Sequence, residues 1–268
     1  MKSYFTGIAR GAFVSAAFAV AMLMAGPGNA QSIDSLVSAG TIKVGVLVDF
    51  PPFGLTNSEQ KPDGFDIELA NKMAEALGVE AEIVPVSNAN RIPYLQSGRI
   101  DVLVASLGIT PERAKQVMFT TPYAATAVVV AGSKSVDVSS LEDLAGKRIA
   151  IGRGSASDAY FTKYTPEGAT ILKFEGEAPA FQAALAGQAD VFSTSNITVA
   201  SLLRANSDAD VEQKLVLSTQ GNGMAVRLDA FELHQWLDTF IYSVKLNGDL
   251  QALYEKWVKG PLPDLPQL

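Results

Sequence analysis

The chain has 268 residues, a formal net charge of −7, one histidine and no cysteine. Its acidic excess is spread along the chain, which argues for solubility and against a nucleic-acid partner. Because there is no cysteine and His234 is the lone imidazole, a disulfide framework, a lipid attached to cysteine and a zinc or redox-metal site are all disfavoured. We therefore expect no cofactor.

Residues 1–30 are predicted to form a secretory signal peptide. Lys2 and Arg10 supply the positive start, residues 11–26 are apolar and rich in alanine, and Gly-Asn-Ala at 28–30 suits cleavage. Because no second long apolar run follows, the processed chain is expected to diffuse freely in the periplasm. Loss of the two cations would take the formal charge from −7 to −9.

Strand and helix patterns alternate through the rest of the chain. Phe65, Leu69 and Met73 form the apolar stripe of an early helix, and a capping box at residues 139–142 predicts another helix that ends before Gly146. Repeated strand–helix units are typical of largely parallel sheets with helices on both faces. In chain order, the other predicted elements are a strand at 41–48, the early helix at 64–77, a strand at 80–86, a helix at 91–96, strands at 102–105, 127–131 and 148–151, a helix at 155–163, a strand at 169–173, a helix at 178–186, a strand at 191–193, a helix at 197–204, strands at 215–217 and 224–227, and helices at 230–246 and 250–259.

The turn after the strand at 102–105 carries the clearest binding signal. Thr110 suits a helix N-cap, Pro111 suits the first helical position, and Arg113 falls in the first turn. Free N–H groups at such a turn favour an anion, and a guanidinium can hold a carboxylate through two hydrogen bonds. The alternative interpretation is an ordinary surface arginine.

One short pattern occurs twice. A glycine, an aspartate three residues later and a serine five residues after that end at Ser106 and again at Ser195. Each serine would follow the carboxyl end of a strand, where open α/β sheets bind ligands. Chance similarity is one explanation. The other is a pair of comparable lobes that face each other across a cleft.

Eight motifs, taken in order and with their spacing, resemble the periplasmic amino-acid-binding proteins of ABC transporters, solute-binding protein family 3. No single motif decides the resemblance, which runs from near Ile33 to Trp257. The motifs are Phe-Pro-Pro-Phe at 50–53, Gly-Phe-Asp-Ile-Glu-Leu-Ala at 64–70, Gly-Arg-Ile-Asp at 98–101, Ile-Thr-Pro-Glu-Arg-Ala at 109–114, Ser-Leu-Glu-Asp-Leu-Ala-Gly-Lys at 140–147, Gly-Gln-Ala-Asp at 187–190, Asn-Gly at 247–248 and Tyr-Glu-Lys-Trp at 254–257.

The resemblance implies an α/β fold of the type II periplasmic-binding-protein class. Each of its two lobes is a mostly parallel sheet flanked by helices, and two hinge strands join the lobes, which close on ligand. The hinge strands should lie near 122–126 and 220–225. One lobe would then comprise residues 31–122 and 226–268, and the other residues 123–225. A monomer is the default for this family.

The resemblance also implies a site shared by both lobes. Arg113 should hold the α-carboxylate of the ligand, and Ser155 and Ala156 should meet that carboxylate from the other lobe. Phe50 should cover the ligand's side chain. No catalytic residue and no metal ligand is expected. The implied ligand-binding residues are Phe50, Ser106, Gly108, Thr110, Arg113, Ser155, Ala156 and Ser195.

Two departures from the family pattern bear on the ligand. Ser195 stands where the family usually has an aspartate for the α-ammonium. Either another acid accepts that charge, with Glu177 and Asp158 nearest by sequence, or the ligand is not an ordinary α-amino acid. Leu47 stands where members that bind basic amino acids carry an acid, which argues against a cationic side chain. Lineage drift with a rearranged pocket would explain both departures.

Arg91 has two interpretations. It can offer a second positive contact, for example to a dicarboxylate, or it can be a solvated residue at a helix start, which we favour. Tyr123 stands at the expected hinge and can pack on ligand or against the lobe interface.

The predicted function is a receptor, not an enzyme. It closes over one small carboxylate-bearing solute and presents the closed form to an ABC transporter permease in the inner membrane. The alternative is an enzyme like the cyclohexadienyl dehydratases, which share the fold but need a placed acid that Ser195 and Asn196 do not supply. Glu175 and Glu177 keep that alternative open. A sensor that hands its ligand-bound form to a membrane kinase is also compatible with the sequence.

Overall fold

The computed structural model describes residues 32–266, so the predicted signal peptide lies outside the described residues. None of the helices in this range combines the length and hydropathy that a bilayer crossing requires. The strands are β1 (Thr41–Leu47), β2 (Leu55–Thr56), β3 (Pro62–Asp63), β4 (Glu80–Val86), β5 (Val102–Gly108), β6 (Met118–Phe119), β7 (Ala124–Ser133), β8 (Arg148–Gly152), β9 (Thr170–Phe174), β10 (Val191–Ser195) and β11 (Val211–Val226). The helices are α1 (Ile33–Ala39), α2 (Phe65–Leu77), α3 (Arg91–Gln96), α4 (Pro111–Ala114), α5 (Ala156–Lys163), α6 (Glu177–Leu185), α7 (Asn196–Ala205), α8 (Phe231–Leu246) and α9 (Asp249–Val258).

Nine of these strands form one sheet in the order β4-β1-β5-β11-β7-β10-β8-β9, with β6 beside β11. Pairing is parallel in β4-β1-β5 and again in β10-β8-β9. It is antiparallel wherever the long strands β7 and β11 take part. We call β1, β4 and β5 with their helices the first half of the molecule, and β8, β9 and β10 with theirs the second half.

The strands β7 and β11 connect the two halves. They pair with each other from Val211 opposite Ser133 to Asn222 opposite Ala124, with two register shifts between. Gln220 faces Thr126 within this ladder. The segments predicted as hinge strands therefore lie side by side at the middle of the sheet. The predicted lobe boundaries at residues 122 and 226 stay predictions.

Each half has its own apolar core. In the first half, α2, α8 and α9 pack on the sheet, and the predicted stripe of Phe65, Leu69 and Met73 is fully buried. In the second half, buried residues such as Phe181 and Phe192 lie between α6 and β10. Because the two cores are separate, the polar surface between the halves does not interrupt either of them.

One predicted helix is wrong, and two predicted strands are parts of one longer strand. The capping box at 139–142 forms only a 3₁₀ turn, Glu142–Leu144, because Ser139 and Ser140 donate both their N–H and their hydroxyl groups to Asp143 Oδ2. The two short strands predicted at 215–217 and 224–227 belong to the single strand β11. The polar and glycine residues between them look like a turn in the sequence, but their backbones pair with β7.

Candidate functional site

A cavity of about 360 Å³ lies between the first and second halves. It brings together seven of the eight residues predicted from the sequence, namely Phe50, Ser106, Gly108, Arg113, Ser155, Ala156 and Ser195. The remaining lining residues are Asn88, Arg91, Thr126, Val128, Ser157, Glu177, Thr194 and Gln220. Thr110 does not line this cavity.

Arg113 reaches across the cavity from the first half. Its Nη1 donates to the carbonyl oxygen of Gly108 at 3.0 Å, and its Nη2 approaches the carbonyl oxygen of Gly154, in the second half, at 3.5 Å. Thr110 caps the short helix α4, and its Oγ1 accepts the N–H of Arg113 at 3.2 Å. Burial lowers the pKa of Arg113. Thr110 thus positions the backbone of Arg113, while the guanidinium is the group that borders the cavity.

The second half presents the start of helix α5 to the same space. Ser155 caps this helix, and its Oγ accepts the N–H of Asp158 at 3.1 Å. Ala156 and Ser157 are the first helical residues and line the cavity. Their N–H groups have no acceptor inside the helix, so this end of the cavity favours an anion opposite Arg113.

Ser106 is held in a left-handed backbone conformation, with φ of 45°, which non-glycine residues rarely adopt. Its N–H donates to the Tyr123 hydroxyl at 2.9 Å, and its Oγ donates to Asp66 Oδ2 at 2.9 Å. Its carbonyl accepts from Asn222 Nδ2 at 2.8 Å, and the Tyr123 hydroxyl donates to Asp66 Oδ1 at 3.0 Å. Tyr123 is therefore a buried support for Ser106.

Asp66 is the residue of this support that the sequence does not predict to lie at the site. It is fully buried, and burial raises its pKa to about 7 against the opposing hydrogen bonds from Ser106 and Tyr123. Asp66 belongs to the Gly-Phe-Asp motif. This motif predicts a helix from the apolar stripe that begins at Phe65, and it gives Asp66 itself no role. Because Asp66 lies in the first turn of a helix whose neighbouring residues are buried, its carboxylate could be expected to have a buried polar partner.

Ser195 uses its hydroxyl for the local structure. It caps helix α7, where its Oγ accepts the N–H of Thr198 at 3.0 Å and donates to Thr198 Oγ1 at 2.8 Å. A hydroxyl has one proton and two lone pairs, so a single lone pair is left to face the cavity. Ser195 is consequently a poor substitute for an aspartate as the acceptor of an ammonium.

Of the two acids proposed to compensate, only Glu177 lines the cavity. Asp158 accepts the N–H of Gly154 at 2.8 Å and forms an ion pair with Lys173 at 2.7 Å. Glu177 begins helix α6 and is only 2% exposed. Its Oε1 accepts from Asn88 Nδ2 of the first half at 3.1 Å.

The electrostatic surroundings of Glu177 disfavour its charged form. Burial and, to a lesser degree, the nearby charge of Asp49 raise its pKa to about 7, against the opposing effects of Thr194, Arg91 and Asn88. Its backbone N–H donates to Asp49 Oδ2 at 3.3 Å, which adds a second contact between the halves.

Two buried side-chain oxygens in residues 32–266 have no hydrogen-bond partner: Glu177 Oε2 and Thr194 Oγ1. The Thr194 hydroxyl is close enough to lower the pKa of Glu177, but the two groups do not meet hydrogen-bond geometry. Leaving such an atom unpaired costs about 1–3 kcal/mol. Both residues line the cavity, so this is the place where a bound molecule would have most to contribute.

Arg91 is buried, with 3% of its surface exposed, so the favoured interpretation of a solvated side chain is wrong. Its Nη1 donates to the carbonyl oxygen of Ala105 at 2.8 Å. Burial lowers its pKa to about 9; the charge of Arg113 lowers it too, and that of Glu177 raises it. Its i, i+4 relation to Leu95, the other buried residue of α3, was the signal that it faces inward.

Phe50 stacks on Phe53, with ring centroids 5.8 Å apart. Phe53 is fully buried, whereas Phe50 is part-buried and borders the cavity. Leu47, whose apolar side chain is taken in the sequence as evidence against a cationic ligand, is packed in the core of the first half and does not line the cavity.

Comparisons with known proteins agree with this architecture. The profile of the bacterial extracellular solute-binding proteins, family 3, matches residues 42–260. An ABC transporter glutamine-binding protein of Bacillus subtilis (strain 168) is 33% identical over 223 residues, covering 81% of each chain. The solute receptor for L-cysteine of Neisseria gonorrhoeae superposes with a TM-score of 0.80 at 29% identity, covering 84% of this chain and 93% of the other.

An ancestral amino acid-binding protein described as a precursor of cyclohexadienyl dehydratase superposes with a TM-score of 0.78 at 32% identity, covering 84% of this chain and 99% of the other. These neighbours confirm the predicted fold class, an α/β type II periplasmic-binding-protein fold. The family match covers most of the chain, and the relatives are binding proteins of ABC transporters. The chain therefore belongs to the bacterial extracellular solute-binding proteins, family 3.

Proposed function

We propose that this protein is the periplasmic receptor of an ABC importer and that it binds a small amino acid or a related carboxylate between its two halves. The observation that carries the proposal is the cavity itself, because Arg113 and the start of helix α5 face it from opposite sides. The relatives named for glutamine and L-cysteine support an amino-acid solute.

Arg113 would hold the solute's carboxylate through its guanidinium, with the N–H groups of Ala156 and Ser157 on the other side. The carboxylate would take over the weak 3.5 Å contact between Arg113 and Gly154, because an ionised oxygen is the stronger acceptor. Phe50 would cover the side chain, Ser106 and Gly108 would line the first half, and Ser155 would hold α5 in place. Thr110 acts through the backbone of Arg113.

No covalent step is needed for this role. Closure of the halves about β7 and β11 excludes water from the charge pair and strengthens it. The closed surfaces of both halves would then be presented to the permease in the inner membrane. Residues 1–30 would direct export to the periplasm, and the chain would act as a monomer.

Thermal unfolding with a panel of α-amino acids, their deaminated analogues and small dicarboxylates tests this proposal. One class should raise the melting temperature with its concentration, since a ligand at 100 times its Kd adds about 2.7 kcal/mol of stability. Arg113→Ala should remove that shift. Arg99→Ala, which removes an exposed arginine packed over Tyr94, is the matched control and should retain it. A shift that survives Arg113→Ala contradicts the proposal.

A second candidate function rests on Glu177. An acid buried in the cavity, with its pKa raised to about 7, is the type of group that protonates a leaving hydroxyl in dehydration. In a cyclohexadienyl-dehydratase-like reaction the C–O bond would break with the loss of water and of the carboxylate as CO₂. Incubation with prephenate or arogenate decides between the two functions, because turnover would favour the enzyme.

A further inference from the structure

We propose that Glu177 makes closure of the two halves depend on a proton: the halves close when its carboxyl group is protonated and separate when it is ionised. The inference rests on the proposed function for the role of closure in binding, but it concerns the protein alone, and its first test needs no solute. The contacts that Glu177 makes across the boundary between the halves carry it.

Glu177 belongs to the second half, and two residues of the first half contact it. Its Oε1 accepts from Asn88 Nδ2 at 3.1 Å, and its N–H donates to Asp49 Oδ2 at 3.3 Å. The preceding backbone is equally close to the first half, because a Cβ at Gly176 would overlap Asp49 Oδ2. Glu177 is only 2% exposed as a result. Separation of the halves would remove both contacts and admit water to the carboxyl group.

Closure thus brings two acids from opposite halves together in a buried place, which disfavours their charged forms. The pKa of Glu177 is raised to about 7 and that of Asp49 is raised too, with burial as the largest cause for each. Arg91 opposes both shifts without cancelling them. In separated halves the pKa of Glu177 would return towards 4.5, so the closed form binds the proton more tightly.

The charges that act on Glu177 come from the first half. Its own helix, α6, has no other titratable residue, and the strands β8, β9 and β10 pack against this helix. There is no charged residue in β10. The basic residues of β8 and β9 are ion-paired with aspartates of the second half, Arg148 with Asp190 and Lys173 with Asp158, each at 2.7 Å. Asp49 and Arg91 are therefore the charged groups that face Glu177.

The hydrogen bonds of Glu177 fit a neutral carboxyl group. Its Oε1 accepts from Asn88, as a carbonyl oxygen does. Its Oε2 is buried without a partner among residues 32–266, and a neutral oxygen in that position costs less than an ionised one. Glutamine has the same shape and no charge, so Glu177→Gln imitates the protonated residue at every pH.

Small-angle X-ray scattering of residues 31–268 without solute tests the inference. Because a compact chain of this length has a radius of gyration of about 18 Å, wild type should lie near this value at pH 5 and be about 5% larger at pH 8. Glu177→Gln should keep the smaller radius at both pH values. Glu175→Gln, two residues away and exposed in an ion pair with Arg153, should expand as wild type does. An unchanged radius in wild type, or expansion of Glu177→Gln, contradicts the inference.

Calorimetric titration with L-glutamine and with L-cysteine adds a second readout. Wild type should take up a proton on binding at pH 6.5, measured from the heats in buffers of different ionisation enthalpy, and its affinity should fall about three- to tenfold between pH 6 and pH 8. At pH 8 Glu177→Gln should bind at least about threefold more tightly than wild type, because it closes without a proton.

The two proposals fail in different ways. If Glu177→Gln binds these amino acids more weakly than wild type at both pH values, the ionised carboxylate is an acceptor for the solute; the inference is then wrong, and the proposed function stands. If no amino acid of the thermal panel binds, the proposed function is wrong, and the scattering result still decides whether Glu177 controls closure.

Discussion

The wall of the cavity around Ser106 differs from the wall around Glu177 in one physical respect. The N–H, carbonyl and hydroxyl of Ser106 are all hydrogen-bonded to buried groups of the protein. Glu177 and Thr194 each keep one buried oxygen without a partner. The first wall is thus complete before any solute binds, and the second is not.

This difference separates positioning from recognition. A fully bonded wall holds its shape whichever solute enters, so it contributes a fixed shape rather than hydrogen bonds to the solute. A wall with unpaired groups gains most from a solute that pairs them, because the cost of the unpaired state is removed on binding. The following predictions test whether the two walls can be altered independently, and they run from the largest expected effect to the smallest.

The largest effect is expected where the two halves touch. Gly154→Ala would place a Cβ 2.9 Å from Ala89 Cα, across the cavity. Gly146→Ala is the matched control, because it has nearly the same φ, +70° against +73°, but no atom within 4 Å of the new Cβ. Both should lose about 1–2 kcal/mol of stability from backbone strain.

Only Gly154→Ala should also weaken solute binding, by about 100-fold or more, since the halves can no longer approach as closely. Titration calorimetry with the amino acid that gives the largest thermal shift measures this. Equal affinities in the two variants would show that contact of the halves at Gly154 is not needed for binding.

The wall around Ser106 should lose part of its hydrogen bonding when Tyr123, which supports it, is changed. Tyr123→Phe leaves Asp66 Oδ1 and the Ser106 N–H without the hydroxyl that each of them contacts. We expect a loss of about 1–3 kcal/mol in urea unfolding and about tenfold weaker binding of all solutes alike. Tyr254→Phe, at a second buried tyrosine packed on Phe65, should change affinity little. A change in specificity instead of overall affinity would contradict the division between the walls.

Much of the first wall could be predicted from the sequence because local rules determine it. The cap at Thr110, the proline after it and Arg113 lie within one turn, so their joint geometry follows from helix-start chemistry. Likewise, the positions of Ser106, near the end of β5, and of Ser195, the last residue of β10, follow from the alternation of strands and helices. The family resemblance adds the other expected residues, and seven of the eight line one cavity.

The second wall could not be predicted in the same way, because its partners are distant in the chain. Glu177 bonds to Asn88, 89 residues away, and its burial depends on how closely the halves approach. The sequence favours a solvated Arg91 because charged side chains are rarely buried without a partner, but the partner of Arg91 is a backbone atom, the carbonyl oxygen of Ala105. Every residue type has a backbone carbonyl, so the sequence does not show which carbonyl accepts a hydrogen bond from a buried side chain.

The wall around Glu177 should also affect how the free energy of unfolding depends on pH when no solute is bound. Because burial raises the pKa of folded Glu177 to about 7 from 4.5, the folded protein binds a proton that the unfolded chain releases between these values. Its contribution is full below about pH 4.5 and is lost as the pH rises towards 7, by up to about 1.4 kcal/mol per pH unit.

Urea unfolding between pH 4.5 and 8 measures this slope. Glu177→Gln should make it shallower, and Glu175→Gln should not. Asp66, whose pKa is also raised to about 7, keeps a residual slope of the same sign in both variants. Identical slopes in the two variants would mean that Glu177 stays ionised in the folded protein.

The smallest effect is expected at Ser195, where the two walls meet the start of helix α7. Ser195→Ala removes a cap that accepts the N–H of Thr198, so we expect a loss of about 1 kcal/mol of stability. Ser32→Ala removes the equivalent cap of helix α1, where Ser32 accepts the N–H of Ser35 at 3.2 Å, and it should cost a similar amount. Because the Ser195 hydroxyl is already engaged with Thr198, Ser195→Ala should change solute affinity by less than about threefold. A much larger loss of affinity would make Ser195 the acceptor of the ligand's ammonium, as aspartate is in the family pattern, and would move recognition away from Glu177.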